Sequence, residues 1–339
     1  MNILLLCFLF LTKLYACDDS WIIKGIDLTI NNQFDQAITL FNNEIQKTQD
    51  NYRAYFYLAA ALNSKMTHWE NWDDEPDFEK TIDKTIDIIE VKLKEENNSD
   101  SLRSRLLFYL GSAYGYRAYY KGQLGKWLPA LSNGIKASNL LNQATDLDST
   151  VYDAYLGIGT YKYWRYTKLK FISWFPLIPD DREEGIEMIK KAAKHSRYSR
   201  YMAMHQLVYI LLDYGKTEEA LLYAEQLVQK YPESQFMWWA KAHALLKNRD
   251  YEQAEQAYLK LIQLINIDPN RNDSHLLNCK LKLAYIYLAI ENPSACEREC
   301  KEILSIAQNM SIKSSDEKRI VQTRDLLKEC QSLTINTSD

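Results

Sequence analysis

Met204-x2-Leu207-Val208-x2-Leu211, followed by Ala220-x3-Ala224 and Pro232, is written a second time as Trp238-x2-Lys241-Ala242-x2-Leu245 followed by Ala254-x3-Tyr258. Each residue of the second copy stands about 34 positions after its partner, the spacing of a stacked helical hairpin. Two antiparallel helices touch along their length only where small side chains let the backbones approach. Val208 and Ala242 take that place on the first helix, and Ala220 and Ala254 take it on the second. Larger residues then fill the space between one hairpin and the next. Turn residues separate the helices at Asp213-Tyr214-Gly215-Lys216 and Lys247-Asn248-Arg249-Asp250, and Pro232 follows the second helix, which it cannot continue. Tyr201 to Pro269 therefore predicts two hairpins in phase.

The same pattern extends in both directions. Trp21-x2-Lys24-Gly25-x2-Leu28, Phe34 and Ala37-x3-Phe41 form a first unit, and Tyr55-x2-Leu58-Ala59-x2-Leu62 opens a second. Leu107-x2-Leu110-Gly111-x2-Tyr114 opens a third, Leu156-Gly157 with Tyr161 to Trp164 a fourth, and Leu283-Ala284-x2-Tyr287 with Cys296-x3-Cys300 a seventh. Extended elbows are expected near 64–76, 115–127 and 165–181, where the second helix starts late. Ser315 to Leu333, rich in charged residues, is expected to close the exposed end of the stack.

These residues resemble the tetratricopeptide repeat family. The resemblance implies an all-α fold, a right-handed α-solenoid of about seven hairpins with a C-terminal capping helix. It would be a single superhelical domain over 17–335, with 336–339 a frayed tail. The middle third, from about Leu107 to Leu261, is also similar to a group of exported bacterial tetratricopeptide proteins of unestablished activity. That second likeness implies fold and export and carries no chemistry.

Ile3 to Leu11 is apolar but too short to span a membrane as a mature helix, and with Leu14-Tyr15-Ala16-Cys17 behind it, residues 1–16 read as a signal peptide. Leu14-x-Ala16-Cys17 resembles a bacterial lipobox, which would make Cys17 a lipidated N-terminus and the protein a lipoprotein of the periplasm or outer membrane. Ordinary cleavage after Ala16, giving a secreted soluble protein, is the alternative. Of the six cysteines, Cys279, Cys296, Cys300 and Cys330 remain in the last repeats; an oxidising compartment permits disulfides among them, but spacing does not fix the pairing. The net charge of −4, with no basic block clear of acidic neighbours, gives no reason to expect nucleic acid.

No catalytic constellation stands out, so the chain is not expected to be an enzyme, and no cofactor or metal is expected. His68, His195, His205, His243 and His275 lack zinc-protease spacing. Gly157-x-Gly159 lies inside a predicted helix, where close helix packing explains it better than a dinucleotide site. Asp73-Asp74-Glu75-x-Asp77 lacks the spacing of a calcium loop and reads as a solvated elbow.

What remains is surface. In such a stack the first helices line the inner, concave face, and the repeat offsets place Tyr116, Tyr161, His205, Tyr209, Trp239, His243 and Tyr285 there. Rings interleaved with polar groups suit an extended peptide or a partner helix. The expected role is a non-enzymatic scaffold of the cell envelope that holds a protein or peptide partner. The alternatives are a structural subunit contacting through its convex face, and an enzyme with a site in the elbows. Phe171 to Pro179 is expected to plug part of the groove or to dock a partner or a lipid surface, with Lys168 and Lys170 beside it.

Overall fold

In a computed structural model, residues 19–96, 98–169 and 179–336 are described. Among them are fifteen α-helices and no strand. The first eight are α1 (Ser20–Ile30), α2 (Phe34–Lys47), α3 (Tyr52–Trp69), α4 (Glu75–Leu93), α5 (Asp100–Gln123), α6 (Trp127–Leu147), α7 (Ala154–Leu169) and α8 (Arg182–His195). The rest are α9 (Arg200–Tyr214), α10 (Thr217–Lys230), α11 (Gln235–Lys247), α12 (Tyr251–Ile267), α13 (Asp273–Ala289), α14 (Pro293–Ala307) and α15 (Ser314–Asn336). Helices α1 to α14 pair as seven hairpins, and α15 packs on both α13 and α14. The all-α solenoid with a capping helix is as expected.

Local chemistry sets the boundaries. Asn51, Ser99, Ser234, Asp250 and Asn292 sit at helix N-termini and accept a backbone N–H of the first turn. Gly215 closes α9 with φ of 88°, a left-handed value that suits glycine. The small residues of the repeat perform as their spacing requires: Val208, Ala220, Ala242 and Ala254 are all fully buried. At Gly159 a Cβ would stand 2.4 Å from the Gly185 carbonyl oxygen, so α7 and α8 touch backbone to backbone. The Gly157-x-Gly159 pattern is therefore helix packing.

The elbows need correction. Residues 115–123 continue α5 as helix, and the turn to α6 is only Leu124-Gly125-Lys126, with Gly125 at φ 70°. The helix persists because Gly111, Gly115 and Gly122 let α6 lie close along its whole length. Likewise 165–169 belong to α7, and α3 runs on to Trp69, leaving a short elbow at 70–74 with Pro76 in the first turn of α4, where its missing N–H costs nothing. The leader 1–16, Cys17 and the insert 171–178 lie outside the described residues.

The disulfide question is resolved by proximity. Cys296 of α14 is bonded to Cys330 of α15, while Cys279 and Cys300 are buried free thiols.

The stack also closes on itself. The Asp19 carboxylate accepts from Arg53 and from the Tyr198 hydroxyl at 2.5 Å, and Arg197 pairs with it at 3.0 Å. Tyr231 donates to Asp27 at 2.6 Å, and the Ser234 hydroxyl donates to the Ile30 carbonyl at 2.5 Å. Asn272 and Lys313 both donate to the Trp69 carbonyl. The first three helices are thus seated on the turns that join the later hairpins, about 200 residues away in sequence.

Candidate functional site

Among the first helices of the hairpins, α3, α5 and α13 are buried on most faces, and α1 is not. In α5 and α13 the buried positions run through every face, whereas α2 and α10 bury only one stripe. The inner side of the stack is therefore largely occupied by its own side chains.

Of the predicted inner-face residues, His205 is buried in that lining, Tyr116, Tyr161, Tyr209, Trp239 and His243 are half-buried, and Tyr285 is exposed. His205 is buried, stacked on Phe236 with ring centroids 3.7 Å apart, and burial lowers its pKa to about 3. It supports the wall and offers no surface to a partner. Tyr209 stacks on His243 at 5.8 Å, and burial pushes its hydroxyl up to about 12. Tyr116 meets Phe56 edge-on at 5.7 Å and is likewise pushed up to about 12, by burial first and by Tyr119 second. Burial also lowers the pKa of His243, helped by Lys247 and Lys282. Tyr161 is half-buried over Gly134, and Tyr285 stands exposed on α13. Trp239 is half-buried, edge-on to Tyr258 at 6.2 Å and to His275 at 5.9 Å.

From Trp239 the line of rings crosses to the first hairpins. His275 meets His68 at 5.2 Å, His68 meets Trp69 at 4.4 Å, and Trp69 meets Phe34 at 6.2 Å. The Asn32 amide holds the His68 ring at 3.1 Å. Burial and mutual repulsion lower His68 to about 3, and burial with Arg319 and Lys313 nearby lowers His275 to about 4, so both imidazoles are neutral near pH 7.

This line ends in an open cleft of about 940 Å3. Its walls are the α3–α4 elbow (Trp69, Glu70, Trp72, Asp73, Asp74), the start of α2 (Phe34, Asp35), the turn before α13 (Asn270 to Asp273) and the turn before α15 (Met310, Lys313). The elbow is shaped by Glu70, which ends α3 at φ 48°, and by Asn71, whose side chain brackets Asp73 with bonds of 2.9 and 2.8 Å. The cleft's cations are spoken for: Lys65 pairs with Asp35 and Asp74, Arg271 with Asp273, and Lys313 caps the carbonyls of Trp69 and Glu70. Asp73 remains exposed, and among the described residues Glu70 pairs with Arg319 at 4.0 Å. The cleft therefore offers indole faces and uncompensated negative charge.

The acidic, aromatic elbow is legible in the sequence as a solvated turn; the convergence of Asn272 and Lys313 on it is not, because no spacing in the chain relates positions more than 200 residues apart.

Residues 205–270 match the family model described as tetratricopeptide repeat. No curated protein matches the chain. Among solved structures, the chain resembles the Cut9–Hcn1 hetero-tetramer of the APC/C with a TM-score of 0.54 and 12% identity, over 94% of this chain and 57% of that one. It also resembles the C-terminal part of a TPR repeat-containing protein from Cytophaga hutchinsonii, with a TM-score of 0.47 and 18% identity over 88% of this chain and 99% of that one. A third likeness is to YrrB, titled a TPR protein with an unusual peptide-binding site, with a TM-score of 0.45 and 14% identity over 70% and 97% of the two chains. Seven stacked hairpins and the in-phase pair at their centre agree with the family match: residues 205–270 resemble the tetratricopeptide repeat, and the described residues have the all-α solenoid fold of such proteins.

Proposed function

We propose that the protein is a non-enzymatic scaffold that holds an extended, basic segment of another polypeptide in the cleft beside Trp69, Trp72 and Asp73. The repeat architecture suggests protein–protein interaction in general. The observation that carries the finer reading is the cleft itself, walled by two tryptophans and by five carboxylates against three cations, all three of them already engaged. Indole faces supply contact area at low entropy cost, and a surplus of carboxylates selects lysine and arginine over acidic residues. Of the inner-face rings, Trp239 reaches the cleft wall through His275 and His68, which packs against Trp69.

Selection of a random peptide library on the full chain tests this. Enriched peptides should carry Lys or Arg beside an apolar residue, bind with affinity that weakens with salt, and lose about tenfold or more in affinity to Trp72→Ala or Asp73→Lys. Peptides that bind both variants as well as the parent chain, but lose affinity to Trp239→Ala, would move the site back to the inner face.

Export to the cell envelope belongs to the same proposal. The leader-like residues 1–16 motivate it, and the Cys296–Cys330 disulfide supports it, since such bonds persist in oxidising compartments. Lipidation of Cys17 would tether the protein to a membrane. Mass spectrometry of the mature N-terminus checks this, and an unmodified Met1 or Cys17 removes the tether.

A further inference from the structure

Two lysines on the inner side of the last hairpins stand without a counter-charge. On α11, Lys241 pairs with Glu225 at 2.7 Å, and on α13, Lys280 pairs with Glu299 at 3.0 Å and Glu302 at 2.5 Å. Lys247 and Lys282, on the same two helices, make no ion pair, hydrogen bond or ring contact among the described residues. Lys247 is exposed and Lys282 is half-buried. Asn278, also half-buried and one turn before Lys282, has no side-chain partner among the described residues either.

Helix register brings these groups together. Trp239 of α11 meets His275 of α13 at 5.9 Å, and as first helices of successive hairpins the two run in the same direction. One and two turns beyond Trp239 stand His243 and Lys247; one and two turns beyond His275, on the same side at about 100° per residue, stand Asn278 and Lys282. The charges act on one another accordingly. Burial lowers the pKa of Lys282, and Arg319 and Lys247 lower it further; burial lowers that of His243, and Lys247 and Lys282 add to the effect. No carboxylate offsets these repulsions, because the nearby Asp316 is committed elsewhere. It accepts from the Ser274 hydroxyl at 2.8 Å and the Lys313 backbone N–H at 3.1 Å, and it pairs with Arg319 at 2.7 Å. Two ammoniums held close with no anion between them cost stability, which an anion seated there restores.

We infer that Lys247, Lys282 and Asn278, beside the His243 ring, bind a phosphate group. A phosphate ester carries about two negative charges and three free acceptor oxygens, which match two ammoniums and an amide reaching in from two helices. A single carboxylate would neutralise only one of the lysines. A nucleic-acid strand is the poorer occupant: the wall on one side is Tyr209, stacked on His243, and beyond His275 lies the acidic cleft, so a row of phosphates meets no second pair of cations. The inference does not depend on the peptide cleft or on acylation of Cys17.

Calorimetric titration and melting of the full chain with sodium phosphate, against sodium chloride at matched ionic strength, test it. Phosphate should raise the Tm and also raise the pKa of His243 followed by NMR, since the anion offsets the repulsion from both lysines. Lys247→Gln and Lys282→Met should each weaken phosphate binding about tenfold, and together remove the His243 response, with unchanged helicity. Glycerol phosphate and a phosphoserine peptide distinguish the carrier: tighter binding of one names the source, and equal binding names the free anion. A phosphate effect no greater than that of chloride, an equal effect of acetate, or equal phosphate binding by the parent and the Lys247→Gln/Lys282→Met chain would overturn the inference.

Discussion

At Gly159 the repeat depends on the absence of a side chain. The atom a Cβ would strike is the backbone oxygen of Gly185, with the Ile189 side chain 2.7 Å away, and neither yields without moving α8. Gly159→Val should therefore destabilise the fold by about 2–3 kcal/mol, read as a fall in the denaturant midpoint with an unchanged slope. The same change at Gly215, where φ of 88° is the obstacle and no atom lies within 4 Å of the Cβ position, acts through backbone strain alone. Among the sequence-marked residues, small ones were legible because their role is set by neighbours one helix away. The aromatic ones were less so: Tyr116, His205 and Tyr209 have a spacing that fits an open groove and a lined one equally.

Individual helices were readable where the 3.6-residue pattern is clean, as in α10, α12 and α14. It faded in α3, α5 and α13, which bury several faces at once. In the long α5–α6 hairpin Gly115 and Gly122 read in sequence as turn residues of an elbow; in place, they are contact points between helices. Capping helix α15 is held by a covalent link as well as by packing. The disulfide spans 34 residues, and in the chain-entropy view a loop of that size contributes about 3–4 kcal/mol. Reduction, or Cys330→Ala, should lower the melting temperature and raise hydrogen exchange first in α15. Exchange that rises uniformly along the stack would show that the link does not act locally.

For the molecule as a whole, closure of the first hairpins onto the later ones distinguishes this stack from an open solenoid, in which each repeat touches only its neighbours. The contact between His68 and His275 makes that closure sensitive to acid. Burial holds their folded pKa values at about 3 and 4, below the unfolded value near 6.5, so the unfolded chain takes up protons first as pH falls. Stability is then full above about pH 6.5 and declines toward pH 4. The groups facing the pair are Arg319 and Lys313, which disfavour a further positive charge, and Asp316, which favours it. Asp19, whose carboxyl is held low by Tyr198, Arg53 and Arg197 against the cost of burial, titrates below this window. Denaturant midpoints at pH 7.5 and pH 5 should differ, and His275→Gln should reduce that difference in part, since buried His68 and His205 contribute to it as well; an undiminished difference would place the acid sensitivity elsewhere.

The helical hairpins, their number and the small residues that let them pair were determined by the sequence, because each depends on contacts within about 40 positions that recur at a fixed period. The tertiary structure decided which cysteines are bonded, that the inner wall is lined by its own rings, and that a cleft opens between the α3–α4 elbow and the turns before α13 and α15. The cleft comes from residues some 200 positions apart, brought together by the sum of small rotations between successive hairpins. That sum is set by the packing of every side chain between them, and no local pattern records it.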